Sequence, residues 1–367
     1  MNNIPSKTGN KIIHVVQHLA PGGIESLTLE LLRFANPDDQ VLIVSLEGNK
    51  HEALQRWPRL AEYQQQMIFL EKPPGIQLGL VFTLVKAFKG VRPDVVHTHH
   101  LGPLMYAGYA AKLAGVPVRI HTEHDAWHLN NSKHKQMQSV LLKAAKPTIV
   151  ADATHVKEQL DNLFRYSRTV VIKNGIDCNK FCPGSRNLAR QRFDLPQDKL
   201  IIGCAGRLEK VKDHQIAIKA MRFLPEHSML AIAGEGTQRE MLENLVVKLH
   251  LQQRVRFIGQ TDHMPHFYQA LDVFCMPSLM EGLPLSLLEA QACNIPVVTT
   301  DVGASAEAMC PHTGKLVKTG DVPGLAATLL QALLQTNSHE PRDFVLSNFE
   351  IRKMAKAYHE LALGELA

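Results

Sequence analysis

From Lys11 onward the chain alternates short apolar runs with longer amphipathic stretches. Ile12 to Gln17, Val41 to Leu46, Asp94 to His97, Val118 to Ile120 and Thr148 to Ala151 read as strands, and Ile24 to Phe34, Leu78 to Lys89 and Leu104 to Ala114 as helices. That rhythm is the one a parallel sheet with crossover helices imposes on a sequence. From Val170 to Pro183 it gives way to an extended run and the turn-rich Asn174-Gly175-Ile176-Asp177. A second alternation follows, with strands at Leu200 to Ala205, Met229 to Ala233, Val255 to Ile258, Val273 to Met276 and Val297 to Thr300. The pattern predicts an α/β protein of two Rossmann-like doubly wound parallel-sheet domains, residues 1–168 and 169–341, facing across a cleft. Residues 342–367 read as a closing helix. Ligands of such sheets bind beyond the carboxyl ends of the strands.

The length of 367 residues exceeds what one core usually supports, which agrees with two domains. With 45% apolar and 20% charged residues the chain is globular rather than disordered. Forty basic side chains against 35 acidic leave a net +5, too dispersed to argue for nucleic acid. The six cysteines form no CxxC pair, and Cys204 and Cys275 lie in apolar runs, so a reducing cytoplasm fits. The first ten residues lack the pattern of an export signal. Leu78 to Phe88 stops well short of the ~20 apolar residues that span a bilayer.

Candidate chemistry concentrates where strands end. After the run closing at Met276 comes Ser278-Leu279-Met280-Glu281-Gly282-Leu283-Pro284, then a helix carrying Glu289. Pro284 suits a first helical turn, Gly282 permits close backbone approach, and a helix start favours a phosphate or polarised hydroxyl. Glu281 and Glu289 either grip two ends of one long ligand or merely complement a helix and face solvent; their positions alone weigh both readings equally. Gly206-Arg207-Leu208-Glu209-Lys210-Val211-Lys212-Asp213 also follows a strand. Arg207 offers a planar fork of donors and Lys212 a mobile charge, which suit a diphosphate; a solvated basic loop is the bland alternative. Ala20-Pro21-Gly22-Gly23-Ile24-Glu25 is either a phosphate-cradling turn or tight strand-to-helix packing. Six histidines crowd one stretch: His97, His99, His100, His121, His124 and His128. They show no helical HExxH-like pair, so no metal site is expected.

The segment from Glu281 to Glu289 resembles the EGxPxxxxE signature of the family-four retaining glycosyltransferases, which have the GT-B fold, and the similarity runs along nearly the whole chain. Gly206 to Lys212 looks like that family's GRLxxxKG segment, Ala20 to Glu25 its GGxE loop, and Asn174 to Pro183 its NGxDxxxFxP hinge. The resemblance implies that Glu281 contacts the donor sugar, that Glu289 holds the ribose, and that Arg207 and Lys212 meet the phosphates. Gly22 and Gly23 would lie against the donor phosphate and the acceptor, with Gly282, Leu283 and Pro284 also at the donor and Phe257 and Ile258 near the base. His124, in Thr122-Glu123-His124-Asp125, would approach the transferred sugar. His121 competes for that role, and His97 and Asn174 fall among acceptor or cleft residues.

What this implies is a retaining, metal-independent hexosyltransferase without a cofactor, its substrate a nucleotide-diphosphate sugar, UDP favoured over GDP. The acceptor would be a saccharide or lipid-linked saccharide, in bacterial surface polysaccharide or lipopolysaccharide synthesis. The expected location is cytoplasmic, with peripheral contact to the inner membrane; the helix at Leu78 to Lys89 either lies at that interface or, as is commoner for such helices, packs into the core. Two rivals stay open. One is a nucleotide-sugar epimerase or hydrolase of the same fold; the other is a catalytically silent membrane-surface binding protein. An NAD-linked enzyme is disfavoured, because no strand leads into GxGxxG.

Overall fold

All five strands expected in the first half form, and two short ones join them at the edges. In chain order they are β1 (Lys11–Val16), β2 (Gln40–Ser45), β3 (Met67–Phe69), β4 (Val95–His99), β5 (Val118–Glu123), β6 (Thr148–Ala151) and β7 (Thr169–Val171). They pair in the order β3-β2-β1-β4-β5-β6-β7, every pair parallel. The second half adds β8 (Leu200–Ala205), β9 (Ser228–Ala233), β10 (Val255–Gly259), β11 (Val273–Met276), β12 (Val297–Thr300) and β13 (Lys315–Val317). Their order is β10-β9-β8-β11-β12-β13, again all parallel. This computed structural model describes residues 9–125, 127–164, 166, 168–334 and 340–365.

Both orders reverse direction once, between β1 and β4 and between β8 and β11. Such a switch point leaves a crevice at the carboxyl ends of the flanking strands, since the connections leave toward opposite faces. The motifs follow these four strands: Ala20 to Gly23 after β1, His100 after β4, Arg207 after β8, and Glu281 after β11.

Most side chains of the central strands are apolar on both faces because helices cover both, the buried histidines His14, His97, His99 and His121 being the chief exceptions. On one face of the first sheet, Ile13, Val15, Val44 and Val96 pack against Leu84, Phe88, Tyr106 and Ala107. On the other, Val95, Ile120 and Val150 meet Leu27 and Leu31 together with Ile351, Met354, Tyr358 and Leu361. In the second sheet Ile202, Cys204, Ile232, Cys275 and Val298 pack on Ile216, Leu242, Val246, Leu325 and Leu329. The six cysteines are free thiols.

The division of the chain differs from the expected one in two respects. The first compact unit comprises residues 1–174 and 351–367, and the second residues 175–350. Thus β7 belongs to the first sheet, beside β6, and the change of unit comes between Asn174 and Gly175 rather than after 168; the turn expected at this dipeptide forms instead at residues 178–180. The closing helix is also two helices, Glu340–Asn348 and Ile351–Leu363. Between them the chain is extended: the Ile176 N–H donates to the Phe349 carbonyl at 2.7 Å, and Ile176 and Glu350 form a parallel bridge. The first of the two helices stays with the second unit, where Arg342 donates to the carbonyls of Phe181 and Cys178, both at 3.0 Å, and of Ala292 at 2.5 Å. The second helix packs on the first sheet. No described helix is long and apolar enough to cross a membrane.

Candidate functional site

In the second unit, three loops at the carboxyl edge of the sheet are laced together by backbone contacts. The Leu279 N–H donates to the Val211 carbonyl at 2.8 Å, so the loop after β11 lies along the loop after β8. The Ala304 N–H donates to Gly282 O at 3.2 Å, which brings in the loop after β12. Gly303, at φ +54, has room only for hydrogen: a Cβ there would fall 1.9 Å from the Glu281 carbonyl oxygen. Gly234, at φ +138, is equally constrained, because a Cβ would sit 2.0 Å from Gly206 O.

These loops bring Lys212 and Glu281 into direct contact, Nζ donating to Oε1 at 2.6 Å. Behind them His214 is buried, and burial first, with the Lys212 charge adding to it, lowers its imidazole to about 4. The site therefore carries a neutral imidazole beneath its cation. Arg207 is exposed. Glu209 anchors the neighbouring turn, its carboxylate accepting from the Thr237 N–H at 3.1 Å and the Thr237 hydroxyl at 2.7 Å.

Glu289 is oriented by Tyr268, whose hydroxyl donates to Oε2 at 2.7 Å. Tyr268 is buried, and desolvation together with the Glu289 charge raises its phenol well above the usual range, so it remains a donor. Pro284 takes the capping position before the helix Leu285–Ala292 (φ −76, ψ 104), not the first helical turn expected of it. Leu283 is buried and Gly282 half-buried. Phe257 and Ile258 lie in β10, half-buried; the Arg239 guanidinium covers the Phe257 ring at 4.5 Å.

In the first unit, Gly22 precedes the helix Gly23–Arg33, and the Glu25 carboxylate folds back so closely that a Cβ on Gly22 would meet Oε2 at 2.3 Å. The start of this helix is thus already faced by its own carboxylate, a favourable placement for the helix dipole. His18 lies 3.6 Å from the same group.

The histidines form a buried line across the sheet. His14 on β1 is in register with His97 on β4, and His99 follows on the same face. Ring centroids are 5.0 Å apart for His14 and His97 and 4.1 Å for His97 and His99. Burial lowers His14 to about 4 and holds His97 and His99 well below the ordinary range, so all three are neutral near pH 7. One ring nitrogen from each lies within 4.8 Å of the others. A tetrahedral ion with bonds of about 2.0–2.1 Å would require these nitrogens to be drawn close together. His97 Nε2 meets Thr122 Oγ1 at 2.7 Å, and Thr122 Oγ1 meets the Tyr358 hydroxyl at 2.9 Å.

The line ends on His124, 7% exposed. Its Nε2 is 3.2 Å from His99 Nδ1, and its Nδ1 is 3.5 Å from Asp152 Oδ2, which also accepts from Asn174 Nδ2 at 2.8 Å. Burial is the main cause that raises Asp152 to about 6. His121 is sealed in, between the Thr98 hydroxyl at 3.0 Å and Glu123 at 2.7 Å. Of the two histidines weighed for the sugar, His124 is the less enclosed. The side chain of His128 is outside the described part of the structure.

The residues read from sequence thus fall into two groups, one per unit: Arg207, Lys212, Glu281, Gly282 and Glu289 in the second, and Gly22, Gly23, His97, His124 and Asn174 in the first. Sequence reading missed the residues that hold them. Asp152 follows β6, Tyr268 lies in a short helix, Gly303 follows β12, and Tyr358 belongs to the last helix. Only the rule that strand ends carry function pointed to Asp152 and Gly303.

Known proteins with this architecture agree along both halves. The profile of the family described as Glycosyltransferase Family 4 matches residues 21–180, and that described as Glycosyl transferases group 1 matches residues 185–344. UDP-Gal:alpha-D-GlcNAc-diphosphoundecaprenol alpha-1,3-galactosyltransferase of Escherichia coli is 27% identical over 305 residues, 77% of this chain and 78% of that protein. Among solved structures, HepE of Anabaena, in complex with UDP and glucose, superposes with a TM-score of 0.85 at 19% identity, covering 97% of this chain and 100% of that one. The lipopolysaccharide outer core galactosyltransferase WaaB gives a TM-score of 0.73 at 18% identity, over 97% of this chain and 100% of its own.

Proposed function

Because the chain belongs to the family 4 glycosyltransferases of GT-B fold, we propose that it moves a hexose from a nucleotide-diphosphate donor, UDP in preference to GDP, to a saccharide or lipid-linked saccharide, with retention of configuration and without a metal ion or cofactor. The observation that carries this reading is the Lys212–Glu281 contact at the switch point of the second sheet, on loops that also hold Arg207. A donor brings groups that compete for both partners. Its diphosphate takes Lys212 and Arg207, and its sugar hydroxyls take Glu281. Charge building on the leaving diphosphate then meets two cations, the electrostatic work a divalent ion does elsewhere. Glu289, held by Tyr268, is oriented for the ribose hydroxyls, and β10 with Phe257 and Ile258 serves the base. His124, with Asp152 behind it, serves the transferred sugar in the first unit.

The preference for UDP draws on the Escherichia coli relative named for UDP-Gal and on the UDP complex of HepE. A role in surface polysaccharide or lipopolysaccharide synthesis draws on the same relative and on WaaB.

Peripheral membrane contact has an observation of its own. The helices at Gly79–Val91, Leu101 to Ala114 and Ser132–Ala145 contain no Asp or Glu. They expose Phe82 (69%) and Val140 (66%), together with Lys86, Lys89, Lys112 and Lys143. Apolar side chains among lysines suit an anionic bilayer surface. Phe82→Ser should lower co-sedimentation with anionic vesicles, and equal binding to neutral vesicles would count against this contact.

The deciding experiment is thermal stabilisation by UDP, GDP, ADP, CMP and dTDP. A ligand at 100 times its Kd adds about 2.7 kcal/mol. A selective UDP shift that disappears in Arg207→Ala is expected, and no shift from any nucleotide would reject the donor site. Product analysis with and without acceptor then separates transfer from epimerisation or hydrolysis, and undiminished turnover in a chelator tests independence from metal.

A further inference from the structure

His100 has a backbone conformation that its residue type does not favour. It follows β4 with φ 71 and ψ 167, a combination in which a Cβ collides with the backbone and which is essentially confined to glycine. The capping residues Arg92, Lys146 and Asp213 also have positive φ, but with ψ of 61, 53 and 39 they occupy the ordinary left-handed region at helix ends. His100 is not in that class.

The path of the chain explains why the conformation is forced. Gly102 is pressed onto the end of β1, where a Cβ would fall 2.0 Å from Gln17 Oε1, and Gln17 is itself held by Glu47 at 2.6 Å. On the other side the Leu104 N–H donates to the His100 carbonyl at 3.2 Å. These contacts hold the backbone around position 100 in place, and glycine there would adopt the same conformation without the steric cost. The histidine side chain therefore does something that glycine cannot. Its ring is half-buried and meets the His124 ring edge-on, centroids 5.9 Å apart and planes at 60°. His124 in turn stacks on His99 at 5.5 Å. The strain thus holds a second imidazole beside His124, at the switch point between β1 and β4 where such sheets take their ligands.

We propose that His100 is a substrate-contacting residue of the first unit, its imidazole hydrogen-bonded to a hydroxyl of the acceptor saccharide. The proposal rests on the transfer reading above. An imidazole both donates and accepts, which suits a hydroxyl, and the enforced backbone fixes its direction before the acceptor arrives.

The test compares His100→Gly, His100→Ala and His100→Asn with the wild type in melting temperature, UDP affinity and acceptor kinetics. His100→Gly should melt several degrees above His100→Ala, because only glycine releases the strain. Both should lose at least tenfold in kcat/KM for the acceptor while UDP affinity stays unchanged. His100→Asn, which keeps a donor and an acceptor but carries the same backbone strain as the histidine, should recover part of the loss in kcat/KM without the rise in melting temperature expected of glycine. Wild-type acceptor kinetics in His100→Gly would overturn the proposal, as would equal melting of the glycine and alanine variants. A wild-type protein that transfers to no acceptor would instead overturn the transfer reading, and the proposal with it.

Discussion

Lys212 and Glu281 sit 2.6 Å apart on loops that are 69 residues apart in sequence, so two groups that resemblance assigns to different parts of one donor are bound to each other in the free protein. The pair is not sealed, with 23% of the lysine and 9% of the glutamate side chain exposed. Desolvation of the two groups offsets much of their mutual attraction, so the intact pair adds little to folding. It keeps both groups oriented.

Glu281→Gln and Lys212→Ala should each lower kcat/KM for transfer by about 10²-fold, the scale for losing one preorganised electrostatic contact. Glu281→Gln, which keeps an acceptor for Lys212, should melt close to the wild type, and Lys212→Ala lower, because it leaves a mostly buried carboxylate without its partner. Steady-state kinetics with a calorimetric scan checks both, and a folded variant with full turnover would remove that residue from the site.

Gly303→Ala should damage the same site through the backbone. Its φ of +54 costs any other residue about 1–2 kcal/mol, and the added Cβ would press on the Glu281 carbonyl from 1.9 Å. Lower stability and weaker UDP binding are expected together. Unchanged UDP affinity would mean that the β12 loop does not position Glu281.

Acid should destabilise the protein below about pH 6.5. His14 and His214 are held at about 4, against 6.5 when exposed, so the unfolded chain takes protons that the folded one refuses. Each then removes up to about 3 kcal/mol as pH falls from 6.5 to 4, and His97 and His99 act in the same direction. Asp152 opposes them: at about 6 when folded, against 3.8 when exposed, it takes its proton first in the folded state and returns up to about 3 kcal/mol over the same window. Urea unfolding at pH 7, 5.5 and 4.5 should show a net loss, steeper in Asp152→Asn and shallower in His214→Gln. Stability that rises toward pH 4.5 would contradict these assignments.

Deleting residues 351–367 should leave the first unit insoluble. Ile351, Met354, Tyr358 and Leu361 cover Leu27, Leu31, Val95 and Ile120, and exposing side chains of this size costs about 1.5–3 kcal/mol each. Tyr358→Phe removes only the hydroxyl that meets Thr122, about 1 kcal/mol. A soluble, fully active truncation would show that the last helix is not part of this core.

Much of the architecture was legible because the longer strands are continuous apolar runs, such as Ile201 to Cys204 and Val273 to Met276, and their spacing alone implies crossover helices. The three-residue edge strands Met67–Phe69, Thr169–Val171 and Lys315–Val317 were not, since so few residues carry no period. The break near Phe349 was invisible for a different reason: it is made by a bridge to Ile176, 174 residues away from Glu350 in the chain (350 less 176).

Residue order was enough to establish the family and two parallel sheets, and to mark the strand ends where chemistry concentrates, because periodicity, turn residues and motif spacing are local properties of the chain. It could name Glu281, Lys212, Glu289 and His124 as candidates. That Lys212 is held by Glu281, Glu289 by Tyr268 and His124 by Asp152, and that His100 is forced into a glycine's conformation, depends on loops that meet only after the sheets have formed. Hydrogen bonds and desolvation act over a few ångströms, and folding alone brings residues so distant in sequence within that range.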